Sequence, residues 1–180
     1  ELAAFALTMK ARARQRRFFN KRVRPNITVL EKVSFSREEL DEYMGAVGRD
    51  LFTHGLRETL QQFSEADNFG SLIVPSVANV ADVLATLEAK DMAGNLFLAD
   101  THQRVLRVLR MADYLSPRYA VVVANPPYMG GKGMNGRLSA WAKENFPRSK
   151  SDLFAMFIER GFDLTPKYGY SAMVTMQSWM

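Results

Sequence analysis

The sequence contains no cysteine. That excludes a disulfide scaffold, a thiolate metal site and a cysteine nucleophile. Histidine is nearly as scarce: His54 and His102 stand far apart, too few for a histidine metal cluster or triad, so no metal is expected and both are read as surface or core residues. No apolar run approaches the roughly 20 residues that span a bilayer, and no leader pattern is visible, so a membrane partner is not expected and a cytoplasmic location is. Acidic residues are missing between Glu1 and Glu31, while Lys10, Arg12, Arg14, Arg16, Arg17, Lys21, Arg22 and Arg24 fall in that interval. What remains is ordinary for a globular domain. The 180 residues are 47% hydrophobic and 24% charged, with a net charge of +5, enough to bury a real core. The charge hints at an anionic partner. The chain opens at Glu1 inside an apolar-periodic segment and stops at Met180 just past a strand pattern, which sets the expectation of a fragment of a longer protein.

Apolar periodicity predicts the elements. Residues 1–22 read as a helix with a basic second half, either a solvated face or a phosphate-backbone contact through residues such as Arg14 and Arg17. Residues 26–30 are a short β-branched strand candidate. Ser36 and Glu39 have the form of a capping box, so a helix should run to about 47. Further helices are expected at about 50–65, 80–89 and 96–115, with a turn or loop at 67–71. Residues 119–124 form the clearest strand, an unbroken β-branched run of the kind buried on both faces of a parallel sheet. A glycine-rich segment with Gly130, Gly131, Gly133 and Gly136 should be a mobile loop. A helix is expected at 137–145, another at 152–164 with Ser151 as N-cap, and a last strand at 170–176. Strands alternating with helices argue an α/β domain with a mostly parallel sheet. The long stretch between the first two strands, about 36–115, reads as a helical insertion on that fold.

Ligands of such sheets bind at the carboxyl ends of the strands, which directs attention to Asn125, Pro126, Pro127 and Tyr128. Two prolines stiffen the turn and donate no N–H. The Asn125 side-chain oxygen and the Pro126 carbonyl both accept hydrogen bonds, and Tyr128 supplies an aromatic face. The complementary ligand is a planar group bearing an NH₂, which an adenine satisfies. The amino nitrogen of adenine is a poor nucleophile because its lone pair is conjugated. Two acceptors on its hydrogens localise that lone pair and stabilise the positive charge that develops during attack on a methyl group. In duplex DNA the base must first be flipped out of the stack.

Residues 121–134, Val-Val-Val-Ala-Asn-Pro-Pro-Tyr-Met-Gly-Gly-Lys-Gly-Met, resemble the catalytic segment of adenine-specific DNA methyltransferases. They look most like the large phage-resistance (BREX, PglX-type) and related restriction-modification enzymes. The resemblance continues through residues 151–161, Ser-Asp-Leu-Phe-Ala-Met-Phe-Ile-Glu-Arg-Gly, and the strand at 170–176, and the helix at 2–14 is similar to one in that family. It implies a Rossmann-like fold that uses S-adenosylmethionine as methyl donor and double-stranded DNA with a flipped adenine as partner. Defence-system subunits are possible further partners under the same resemblance. Asn125 and Pro126 would hold the target amino group, Pro127 would stiffen the turn and Tyr128 would stack on the base. Glu31 fits the place of the family's cofactor-binding third motif, with Asp67 and Phe69, or Asp113 and Tyr114, as rival matches. The family's glycine-rich first motif and its ribose-binding acid would lie before Glu1, and the target-recognition region after Met180. The isolated chain is therefore expected neither to bind the cofactor well nor to catalyse.

The loop chemistry also admits a protein glutamine-amide methyltransferase, whose substrate presents a conjugated NH₂ as well. A non-catalytic DNA-binding module of a defence complex is the reading from a different class. Lys132 could contact a phosphate, although the loop is not a Walker motif. Asp152 reads as a first-turn acid, the ten methionines as core filling, and Trp141 as a helix-packing residue.

Overall fold

The Ser36 hydroxyl accepts from the Glu39 N–H at 3.1 Å, and the Glu39 carboxylate accepts from the Ser36 N–H at 2.7 Å. This reciprocal cap starts one of eight α-helices in a computed structural model that describes residues 2–48, 54–90, 92, 94, 96–175 and 177. In chain order they are α1 (Leu2–Arg14), α2 (Arg37–Val47), α3 (Leu56–Gln62), α4 (Ala66–Phe69), α5 (Val80–Glu88), α6 (Leu96–Leu115), α7 (Gly136–Asn145) and α8 (Leu153–Asp163). Two strands, β1 (Val121–Ala124) and β2 (Tyr170–Met173), pair in parallel with Val121 opposite Tyr170 and Ala124 opposite Met173. The fold is therefore α/β, mostly helical, with a small parallel sheet among the described residues.

The core lies chiefly in the helices of residues 36–115. Tyr43, Leu56, Leu60, Phe63, Leu72, Ile73, Leu87, Val105 and Leu109 are buried there. The Thr59 hydroxyl ties α3 to the next segment by accepting from the N–H groups of Ser76 and Val77 at 3.0 and 3.1 Å. Gly55 precedes α3 at φ +79°, where a Cβ would stand 2.5 Å from the Ser76 carbonyl oxygen. No side chain fits that approach. Tyr43 and His102 join α2 to α6 through a buried hydroxyl–imidazole hydrogen bond of 2.7 Å.

Several sequence expectations need correction. The first helix ends at Arg14, and a 3₁₀ turn follows at Phe18–Lys21. Its apolar spacing stops at Met9, and the clustered arginines beyond repel one another. Residues 26–30 form neither strand nor helix. They run over α5 and α6, with the Glu31 N–H on the Met111 sulfur at 3.2 Å, and β propensity makes no ladder without a neighbouring strand. The turn expected at 67–71 is helical, passing from α4 into a 3₁₀ turn at Gly70–Leu72. Phe63, Ala66, Phe69 and Leu72 are all buried, and their three-residue spacing suits tight helical winding. The start expected at 50 lies outside the described residues, but the helix expected at 50–65 is shorter than that: Gly55 at φ +79° stops it on that side, α3 runs Leu56–Gln62, and a 3₁₀ turn covers Phe63–Glu65. β1 is not buried on both faces: Val121 keeps 59% and Val123 75% of their exposure. β2 is its one strand neighbour among the described residues. The last strand closes at Met173, and residue 176 lies outside the described set. Among the described residues no helix is long and apolar enough to cross a membrane.

Candidate active site

Residues 125–128 leave the carboxyl end of β1, a strand tied to β2 at both of its ends. The Tyr170 N–H donates to the Ala120 carbonyl at 2.9 Å and the Val174 N–H to the Ala124 carbonyl at 3.1 Å. Pro126 is buried, while Asn125 and Pro127 are exposed and Tyr128 keeps 49% of its exposure. The buried proline anchors the turn and leaves its neighbours' polar and aromatic groups facing solvent. The Asn125 carboxamide has no hydrogen-bond partner among the described residues, so its oxygen is free to accept.

Immediately downstream the chain is tied back to the start of α8. The Leu153 N–H donates to the Met129 carbonyl at 2.9 Å, and the Gly131 N–H to the Ser151 carbonyl at 2.8 Å. Gly130 and Asp152 form an antiparallel bridge. The Gly133 N–H closes a turn on the Gly130 carbonyl at 2.8 Å. The glycine-rich segment expected to be mobile is thus pinned by backbone bonds to residues 151 and 153. Asp152, not Ser151, caps α8: its carboxylate accepts from the Phe154 N–H at 3.2 Å. The Ser151 carbonyl is already engaged with the loop. Lys132 is exposed on this turn.

Glu31, Asp113 and Tyr114 line one cleft of about 580 Å³, together with Thr28, Val29 and Leu84. Two of the three cofactor-motif candidates are therefore neighbours. Arg110 on its rim is paired with Glu88 at 2.7 Å. Tyr119, whose O–H donates to the Tyr114 carbonyl at 2.9 Å, is pushed above its ordinary value by burial, with the Asp113 charge and Tyr114 adding to it. The third candidate lies elsewhere. Asp67 is exposed, and the Phe69 ring stacks on Trp141 with centroids 4.2 Å apart. Trp141 therefore packs between helices, as the sequence suggests.

Arg14 and Arg17 are exposed, and neither forms an ion pair among the described residues; α1 buries none of its side chains. His54 is exposed and His102 is core. No group of three or more His, Asp or Glu side chains that could hold a metal ion occurs among the described residues. Two features escaped sequence reasoning: the tether of residues 129–131 to 151–153, and the burial of Arg160. The second had a signal, because Leu153, Met156 and Arg160 share one face at helical spacing, so a charge stands on the apolar side of α8.

A family model described as Eco57I restriction-modification methylase matches residues 1–180. The chain belongs to that family. It is 38% identical over 204 residues to "Adenine-specific methyltransferase BrxX" of Escherichia coli O9:H4 (strain HS), a match covering 100% of this chain and 17% of that protein. It is 34% identical over 187 residues to "Adenine-specific methyltransferase PglX" of Lacticaseibacillus casei (strain Zhang), covering 100% of this chain and 15% of that one. The chain thus spans about a sixth of the length of these curated relatives. The resemblance carried by residues 121–134 and 151–161 agrees with this family assignment.

Proposed function

We propose that the complete protein carrying this Eco57I-family chain transfers a methyl group from S-adenosylmethionine to the 6-amino group of adenine in DNA, within a restriction-modification or phage-resistance system in the cytoplasm. The observation that carries the reading is the Pro-Pro segment at 125–128 on the carboxyl end of a parallel strand, with the Asn125 carboxamide unpartnered among the described residues and the Tyr128 ring open to solvent. The printed names of the two relatives support it.

Asn125 and the Pro126 carbonyl accept the two amino hydrogens of a flipped adenine, and Tyr128 stacks on its ring. The acceptors draw the amino nitrogen toward tetrahedral character and stabilise its developing positive charge. Pro127 holds the acceptors in place without competing as a donor. The cleft of Glu31, Asp113 and Tyr114 suits an adenosine group, since it combines carboxylates for amino or hydroxyl donors with aromatic and apolar walls. S-adenosylmethionine supplies the electrophilic methyl when bound. In this reading a Rossmann-like core carries residues of about 36–115 as a helical insertion. Arg14, Arg17 and Lys132, all exposed, are among the cations available to phosphates.

The test incubates the complete protein with labelled methyl donor and, in parallel, duplex DNA or glutamine-containing protein. Label recovered as N6-methyladenine is expected. Label in a glutamine amide, or DNA binding without any transfer, overturns the reading.

A further inference from the structure

We propose that Arg160 is a positioning residue that fastens the helical region to the frame holding residues 125–128; this rests on the reading of that segment as the reacting loop. Arg160 is buried in the middle of α8. Its Nη2 donates to the Leu115 carbonyl at 2.7 Å and to the Ile73 carbonyl at 3.0 Å, and its Nε donates to the Ser71 carbonyl at 3.2 Å. It forms no ion pair among the described residues. Burial pushes its pKa down, with Asp163 opposing. A buried charge costs several kcal/mol unless dipoles replace its hydration, and apolar packing alone would be met by Leu or Met at this position. Three carbonyls from two distant segments define a geometry that only the guanidinium fork supplies.

The placement of those carbonyls gives the geometry its use. Leu115 ends α6 and leads into β1, the strand that delivers residues 125–128. Near the end of α8, the Leu164 carbonyl accepts from the Tyr119 N–H at 2.7 Å. At its start, Leu153 and the adjoining Ser151 hold the exit of the same loop through Met129 and Gly131. One helix of about 16 Å therefore braces both the approach to the loop and its departure, and Arg160 locks that brace to residues 71–73 of the helical region. Gly161 faces the sheet, where the ends of the Met173 and Ser171 side chains fill the space that a Cβ would take. A second fastening joins α7 to the same corner. The Asn135 amide donates to the Asn68 side-chain oxygen at 2.8 Å, Arg137 pairs with Glu65 at 3.0 Å, and Phe69 stacks on Trp141.

The test uses the complete protein with Arg160→Met, which keeps length and apolar bulk, and Arg160→Lys, which keeps the charge but concentrates its donors at one point. Arg160→Met is expected to lower kcat for DNA methylation about 10–100-fold while the KM for DNA stays within about threefold; Arg160→Lys should fall between it and the parent. Hydrogen exchange should quicken in peptides covering 129–133 and 149–154 and stay unchanged in α6 around Leu109. An unchanged kcat overturns the proposal, and so does exchange that quickens equally in α6 and the loop, which would mark Arg160 as a general stabiliser. Should the Met variant not fold, the Lys variant decides by the same two readouts. Asn125→Ala separates the two claims: if it methylates normally, the reading of the loop falls and takes the catalytic sense of Arg160 with it, while the exchange data still decide whether the brace exists.

Discussion

Tyr43, Phe63 and Val105 in the helical region are fully buried, whereas Val121 and Val123 in β1 keep 59% and 75% of their exposure. Residues 36–115 supply most of one continuous core, onto which Met134, Leu138, Phe146 and Met156 also pack, and they hold their own buried polar bond. The sheet depends on α8 for cover and leaves its apolar residues facing outward. The difference teaches where stability and chemistry reside. The helical region can lose little without unfolding, whereas Asn125 and Tyr128 can change with little structural loss, because their side chains stand exposed beside the buried Pro126.

Mutations at the two regions should therefore separate stability from activity. The largest stability effect is expected from Phe63→Ala, which empties a fully buried ring site and should cost about 3–5 kcal/mol, measured as a fall in urea midpoint. A loss below about 1 kcal/mol would show that the helical region is not the stabilising half. Next comes Tyr43→Phe, which leaves the His102 Nδ1 without its 2.7 Å partner and should cost about 1–3 kcal/mol.

The same pair predicts a pH dependence. Burial pushes His102 below its ordinary value and the Lys90 charge adds to that, against a hydrogen bond to the Leu87 backbone. The folded state thus prefers the neutral ring, and below about pH 6.5 the unfolded state binds more protons. Stability should fall as the pH drops through that value and be fully present above it. The urea midpoint should be lower at pH 5.5 than at 7.5, with His102→Gln reducing the difference; an equal difference in the variant would remove His102 from the account. A smaller effect is expected from Ser36→Ala, which removes one half of the capping box and should cost about 1 kcal/mol. Fraying at residues 37–40, read by hydrogen exchange, would accompany it.

How much of this was legible in the sequence depended on whether the signal was local. Residues 96–115 matched α6 end to end because Val105, Leu106, Val108 and Leu109 announce a helix face without help from elsewhere. Ser36 and Glu39 likewise carried their capping box in four residues. Residues 26–30 misled because a β-branched run becomes a strand only beside another strand, and here it lies on helices. Residues 121–124 gave the right element and the wrong burial for the same reason. The end of β1 at Ala124 was legible because two prolines after such a run cannot continue a ladder. Its fastening was not, since the bonds from Met129 to Leu153 and from Arg160 to Leu115 join parts of the chain that no local pattern connects. Glu31 and Asp113, rival matches in the sequence, line one cleft, a proximity across more than 80 residues that no local pattern shows.

The central claim is that the fold is held by the helical region and the chemistry by the exposed turn. Asn125→Ala in the complete protein tests it most directly, through N6-methyladenine formation and thermal unfolding measured on the same sample. The account predicts a loss of methylation of about 10²–10³-fold, with stability changed by no more than about 0.5 kcal/mol and DNA binding retained. Methylation at the parent rate, or a variant that loses its fold along with its activity, would contradict it.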